Sequence, residues 1–164
     1  MKTAKMLTLA SILSLAGAMP SAYALQDGQK FKSWTGKCET MNGQQFCGIK
    51  QTVFDKQKKP IIDIFIRKMQ GQSEPVVFIK VPLRVFLPAG LGLAVDRQEI
   101  AQVPYLTCDQ AGCNALVGLD SNMVKKIKKG SQLQIGMMVP TGTENKEIVL
   151  SASLSGVTKA LNAL

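Results

Sequence analysis

The chain contains no histidine. That absence removes the imidazole base of Ser-His-Asp-type catalysis, the usual nitrogen ligand of zinc and copper, and the side chain that ordinarily switches charge near neutral pH. Carboxylates are also few, with Asp+Glu at 11 against Lys+Arg at 20 for a net charge of +9. Asp63, Asp96, Asp109, Asp120, Glu144 and Glu147 fall on different turns and strands, and no spacing among them announces a general acid and base. Long apolar runs are missing beyond residue 25, because Lys, Arg, Asp or Pro interrupts each one, so no later segment reads as a transmembrane helix. At 164 residues the chain is long enough for one domain with a core of its own and too short for two.

What is present begins with a leader. Lys2 and Lys5 precede the apolar stretch Met6 to Ala18, and Ala22-Tyr23-Ala24 follows. The order of charge, apolar run and small residues is that of a secretory signal peptide cleaved after Ala24. The stretch is well short of the roughly 20 residues that a membrane-spanning helix needs. Residues 1–24 therefore read as the signal peptide and 25–164 as the mature domain. Loss of the two leader lysines lowers the net charge from +9 to +7.

Export makes the four cysteines candidates for disulfides. Cys38 and Cys47 flank a turn containing Asn42-Gly43, and Cys108 and Cys113 flank Asp109 to Gly112. Four cysteines allow three pairings, and sequence does not formally choose among them. Local pairing is preferred because each turn brings its own ends together. A zinc site would place each pair two to four residues apart, and a redox site would need Cys-x-x-Cys; neither spacing occurs. No metal and no cofactor is expected.

From Phe31 onward the apolar period is two, punctuated by turn residues every eight to twelve positions. This is the signature of an all-β, antiparallel sandwich-like domain. Trp34, Gly36 and Cys38 share one face of a first strand, and Cys47, Ile49, Gln51 and Val53 one face of a second. Ile62, Ile64 and Ile66 alternate with Asp63, Phe65 and Arg67; Val77, Ile79 and Val81 come next, then Leu91, Leu93 and Val95. Ile100 to Leu106 leads into the second cysteine loop. One short internal helix is predicted, capped by Asp120 or Ser121, apolar at Met123, Val124 and Ile127 and stopped by Gly130. Leu133, Ile135 and Met137 restart the strand period, and Ile148, Leu150, Ala152 and Leu154 follow. Val157, Ala160, Leu161 and Leu164 mark a short C-terminal helix.

Lys125, Lys126, Lys128 and Lys129 cover the rest of the internal helix and form the candidate anion-binding surface. Phosphates of lipopolysaccharide, anionic lipids, and sialylated or sulfated glycans are ligands of suitable charge. The plainer alternative is a solvated face that keeps the protein soluble. Nucleic acid is a poor partner, since no arginine or aromatic residue interleaves these lysines. Trp34 reads as core, and the stapled loop Asp109 to Gly112 as the most constrained exposed loop, with recognition as its alternative role.

The ordered set Trp34, Cys38, Cys47 and Gln51, the stretch Val81-Pro82-Leu83 to Leu87-Pro88-Ala89-Gly90, Asp96, Cys108 with Gly112-Cys113, and Leu154-Ser155-Gly156-Val157 with Ala160 and Leu161 resembles the invasion-associated locus B family of exported bacterial proteins. The resemblance runs over almost the whole of residues 25–164. It implies a sandwich-like domain in the periplasm or envelope, no catalytic residues to carry over, and a family named for invasion of host red cells. Val157 stands where members often carry an aromatic residue, and the internal helix is unusually basic. The resulting expectation is an exported, non-enzymatic envelope protein that contacts host-cell or envelope surfaces. A periplasmic assembly factor or chaperone, working through a strand edge or apolar groove, is the alternative.

Overall fold

The structure, a computed structural model, describes residues 25–164. The predicted leader and its cleavage site lie outside the described residues. The elements are β1 (Lys30–Phe31), β2 (Trp34–Met41), β3 (Gln44–Phe54), β4 (Pro60–Lys68), β5 (Pro75–Val81), β6 (Leu91–Val95), β7 (Gln98–Val103), β8 (Tyr105–Asp109), β9 (Gly112–Gly118), α1 (Ser121–Lys129), β10 (Gln132–Pro140), β11 (Asn145–Ser153) and α2 (Val157–Asn162). They make two antiparallel sheets, a large one ordered β1-β2-β3-β4-β5-β9-β8 and a small one ordered β11-β10-β6-β7. The all-β sandwich with one internal and one C-terminal helix is thus the observed fold.

Alternation decides which side of each strand enters the core. On the large sheet Ile49, Ile62, Ile64, Ile66, Val77, Ile79, Val81 and Ala115 are buried; Leu91, Leu93, Leu133, Ile135 and Met137 face them from the small sheet. Trp34 is fully buried and its indole Nε1 donates to the Ser153 carbonyl at 3.1 Å, a hydrogen bond from β2 in one sheet to β11 in the other. The core role read for Trp34 is therefore observed.

Turn chemistry sets the register. Asn42 (φ 50°) and Gly43 (φ 76°) both adopt left-handed backbone between β2 and β3, the two-residue hairpin turn whose twist suits the flanking strands. Asp96 (φ 47°) and Arg97 (φ 70°) do the same between β6 and β7 without a glycine. The strain there is offset by hydrogen bonds. The Asp96 carboxylate accepts from Ser131 N at 3.0 Å and Gln132 N at 2.9 Å, and Arg97 N donates to Gln134 Oε1 at 2.6 Å. The turn is pinned to the start of β10 and the end of α1.

Gly156 explains another piece of the sequence pattern. Its φ of 89° is left-handed, and a Cβ there would run into the Phe31 carbonyl, so only glycine lets α2 start against β1.

One detail adds to the sequence reading and one differs from it. The segment Ile100 to Leu106 is not one strand: Pro104, which has no N–H for a ladder, separates β7 in the small sheet from β8 in the large one. Ile148, assigned to the inward face, is 38% exposed, as the leading half of the edge strand β11 runs past the core while Ala152 and Leu154 stay buried.

Candidate functional site

Asp120 starts α1. Its carboxylate accepts from the backbone N–H of Asn122 and Met123, both at 2.8 Å, satisfying amides that the first turn leaves without partners. Ile127 anchors the inner face and is buried, with Met123 and Val124 packed against the same core. Gly130 ends the helix, and Lys126, Lys128 and Lys129 occupy its last turn, where positive charge complements the helix dipole.

The four lysines separate into two rows, because residues three apart lie along one side of a helix. Lys125 and Lys128 face a cleft of about 650 Å³ whose floor includes Val124, Leu161 and Leu164 and whose far wall carries Lys68 from the end of β4. Lys126 and Lys129 line a smaller hollow of about 250 Å³ on the other flank, beside Asp96 and Gln98. Lys128 Nζ donates to Asn162 Oδ1 at 2.8 Å and Thr158 Oγ1 to the Lys128 carbonyl at 3.0 Å, fixing α2 against α1. Each row thus shares its hollow with a carboxylate, Glu74 for the first and Asp96 for the second, and the first row also adjoins an apolar floor.

Cys38 is joined to Cys47 and Cys108 to Cys113, each pair directly opposed in its hairpin with Cα atoms 4.0 Å apart. Opposed residues that do not exchange backbone hydrogen bonds lie closest in an antiparallel pair, which suits a short cross-link. Cys38 N donates to Asp27 Oδ1 at 2.8 Å rather than across the hairpin. That bond, with Lys37 nearby, holds the Asp27 carboxyl below its ordinary range. In the second loop the Asp109 carboxylate accepts from Ala111 N at 2.7 Å and lies 3.7 Å from Lys80 Nζ. The Ala111 bond is the main cause of the lowered Asp109 pKa.

Most of the scattered carboxylates are therefore engaged in structure. Asp63 accepts from Thr52 Oγ1 at 2.6 Å and pairs with Lys50 at 3.2 Å; Asp96 pins a turn, Asp109 shapes its loop and Asp120 caps a helix. Among the described residues no three of Cys, Asp and Glu gather as a metal site would require. No helix of the described residues is long and apolar enough to cross a membrane.

One cluster escaped the sequence reading. On the outer face of the large sheet the Arg67 guanidinium lies 5.5 Å from the centroid of the Phe46 ring and 5.3 Å from that of Phe78, and Phe65 and Phe78 have centroids 6.3 Å apart. Gly48 makes room, since a Cβ there would collide with the Phe65 ring. The signal was the outward set Asp63, Phe65 and Arg67, too aromatic for a face meant only for water.

These features define a disulfide-stapled antiparallel β-sandwich with basic clefts at the end where its helices pack. The family model described as "Invasion associated locus B (IalB) protein" matches residues 34–164, and the chain belongs to that family. Invasion protein B homologues of Brucella abortus strain 2308 and of biovar 1 strain 9-941 are each 23% identical over 158 residues, covering 95% of this chain and 88% of the relative. The crystal structure of invasion associated protein B from Bartonella henselae superposes with a TM-score of 0.73 at 21% identity, covering 82% of this chain and 91% of that one.

Proposed function

We propose that the protein is exported with loss of residues 1–24 and acts, without catalysis, as an envelope protein that contacts anionic surfaces through α1. The observation that carries this reading is the cleft in which Lys68, Lys125 and Lys128, three cations against the single carboxylate of Glu74, surround Val124, Leu161 and Leu164. An amphiphile with an anionic head, such as an anionic lipid or the phosphorylated lipid of lipopolysaccharide, matches both parts of it. The two disulfides support an oxidising compartment. The Brucella relatives, named as invasion protein B homologues, support a part in invasion.

The test is cosedimentation with vesicles of phosphatidylglycerol and of phosphatidylcholine. Binding should be confined to the anionic vesicles and fall steeply with salt, because screening acts over about 10 Å at 0.1 M. Lys125→Gln with Lys128→Gln should weaken it more than Lys126→Gln with Lys129→Gln, and all four together should abolish it. Survival of binding in the fourfold variant, or no binding by wild type at physiological salt, overturns the reading.

A second reading, an assembly factor for envelope proteins, draws on the edge strand β11, where Ile148 and Val149 are 38% and 48% exposed beside a strand edge without a neighbour. Such an edge can pair with a client strand, though Lys146 and Glu147 guard it. Suppression of aggregation of an unfolded outer-membrane barrel, lost on Val149→Lys, would favour it over surface binding.

A further inference from the structure

We propose a second binding site on the outer face of the large sheet, where Arg67 takes the carboxylate of an acidic saccharide. Arg67 lies on β4 between the rings of Phe46 on β3 and Phe78 on β5. Its Nε is shielded from solvent without a hydrogen-bond partner, which leaves the two terminal Nη groups to meet a ligand. The ion pairs among the described residues engage Lys37, Lys50 and Lys80, and no carboxylate comes within 4.0 Å of Arg67. A guanidinium stacked on aromatic faces is already held flat and partly stripped of water, so little further ordering is needed when a ligand arrives. Its fork of N–H donors fits a carboxylate through two parallel hydrogen bonds, which an ammonium cannot reproduce.

The surroundings select a sugar. Arg67, Phe46 and Lys68 line a cleft of about 680 Å³ whose rim carries Gln44, Gln45, Gln70 and Gln72. That volume lies within the range of small-ligand sites. Each glutamine amide both donates and accepts, as each sugar hydroxyl does. Phe46, half-buried, offers an apolar surface to the C–H face of a pyranose ring. Lys68 lines both this cleft and the one beside α1, with the turn between β4 and β5 separating them. The site does not rest on the α1 lysines. The hairpin that carries Phe46 is fixed by the adjoining Cys38–Cys47 bond.

The experiment is titration calorimetry of the purified protein with trigalacturonate, neutral maltotriose and triglutamate. Trigalacturonate should bind at least tenfold more tightly than either of the others. Arg67→Lys, which keeps the charge and loses the fork, should weaken trigalacturonate at least tenfold. Gln44→Ala with Gln72→Ala should weaken it severalfold without lowering the melting temperature, and this variant decides the matter if Arg67→Lys does not fold. The fourfold α1 lysine variant should bind as wild type does, which keeps failure here distinct from failure of the vesicle test. The proposal is overturned if wild type does not bind trigalacturonate, if maltotriose or triglutamate binds as well, or if both the Arg67 and the glutamine variants bind like wild type. In that last case the stacked arginine serves only to cover the rings.

Discussion

Trp34→Phe tests whether the two sheets are held together as the core geometry implies. Trp34 is fully buried, and its indole Nε1 gives the Ser153 carbonyl a partner in the opposite sheet at 3.1 Å. Phenylalanine keeps an aromatic ring but cannot donate, so the acceptor loses its partner at a cost of about 1–3 kcal/mol. The lost ring volume, on the order of 40 Å³, adds about 1 kcal/mol if the site does not collapse, at ~24 cal/mol per Å³ of cavity. The total, about 2–4 kcal/mol, lowers the melting temperature by roughly 8–16 °C for a domain of this size. Urea unfolding followed by circular dichroism measures it, since the variant removes the chain's one tryptophan and with it the fluorescence signal. A loss below about 1 kcal/mol would refute the assignment of Trp34 as the bridge between sheets.

Asp96→Ala should cost about 2 kcal/mol, from the carboxylate's bonds to Ser131 N and Gln132 N and from a left-handed φ that alanine tolerates poorly. Asp96→Asn keeps an acceptor and the left-handed preference and should cost about half as much, so equal losses in the two variants by thermal unfolding would count against the pinned turn. Tyr105→Phe should leave stability unchanged or raise it by up to about 1 kcal/mol, because the phenol oxygen is out of solvent with no partner. Burial holds that phenol protonated above its ordinary 10.0. Its contribution is whole below pH 10.0 and falls as pH rises from there through the folded-state pKa, because the unfolded chain releases the proton first. Alkaline unfolding should therefore be shallower in Tyr105→Phe, and an unchanged pH profile would rule out this source.

Much of the fold was legible because sheet burial follows a period of two. Ile62, Ile64 and Ile66 announce their inward face wherever the strand lies. The helix was equally readable, since Asp120, Ile127 and Gly130 act within their own turn or the next. Sheet membership was harder to see. Pro104 breaks a ladder in either sheet, and nothing local says that the chain leaves one sheet there for the other. The exposure of Ile148 depends on how far β11 outruns the core, a length set by other strands.

The same contrast separates the two binding surfaces. Four lysines in five positions of one helix are visible in sequence, and their division into two rows follows from helical spacing alone. Arg67, Phe46 and Phe78 are 21 and 11 residues from one another along the chain and become neighbours only through pairing of β4 with β3 on one side and β5 on the other. Register makes that cluster, and register was fixed by turns and by the inward isoleucines. A strand whose inner face is given over to packing still has every second side chain free, and the large sheet uses those positions to bring an unpaired guanidinium between two rings. Water alone would not favour aromatic residues on that face. Their packing around one arginine with no acidic partner is the reason to look there for a ligand.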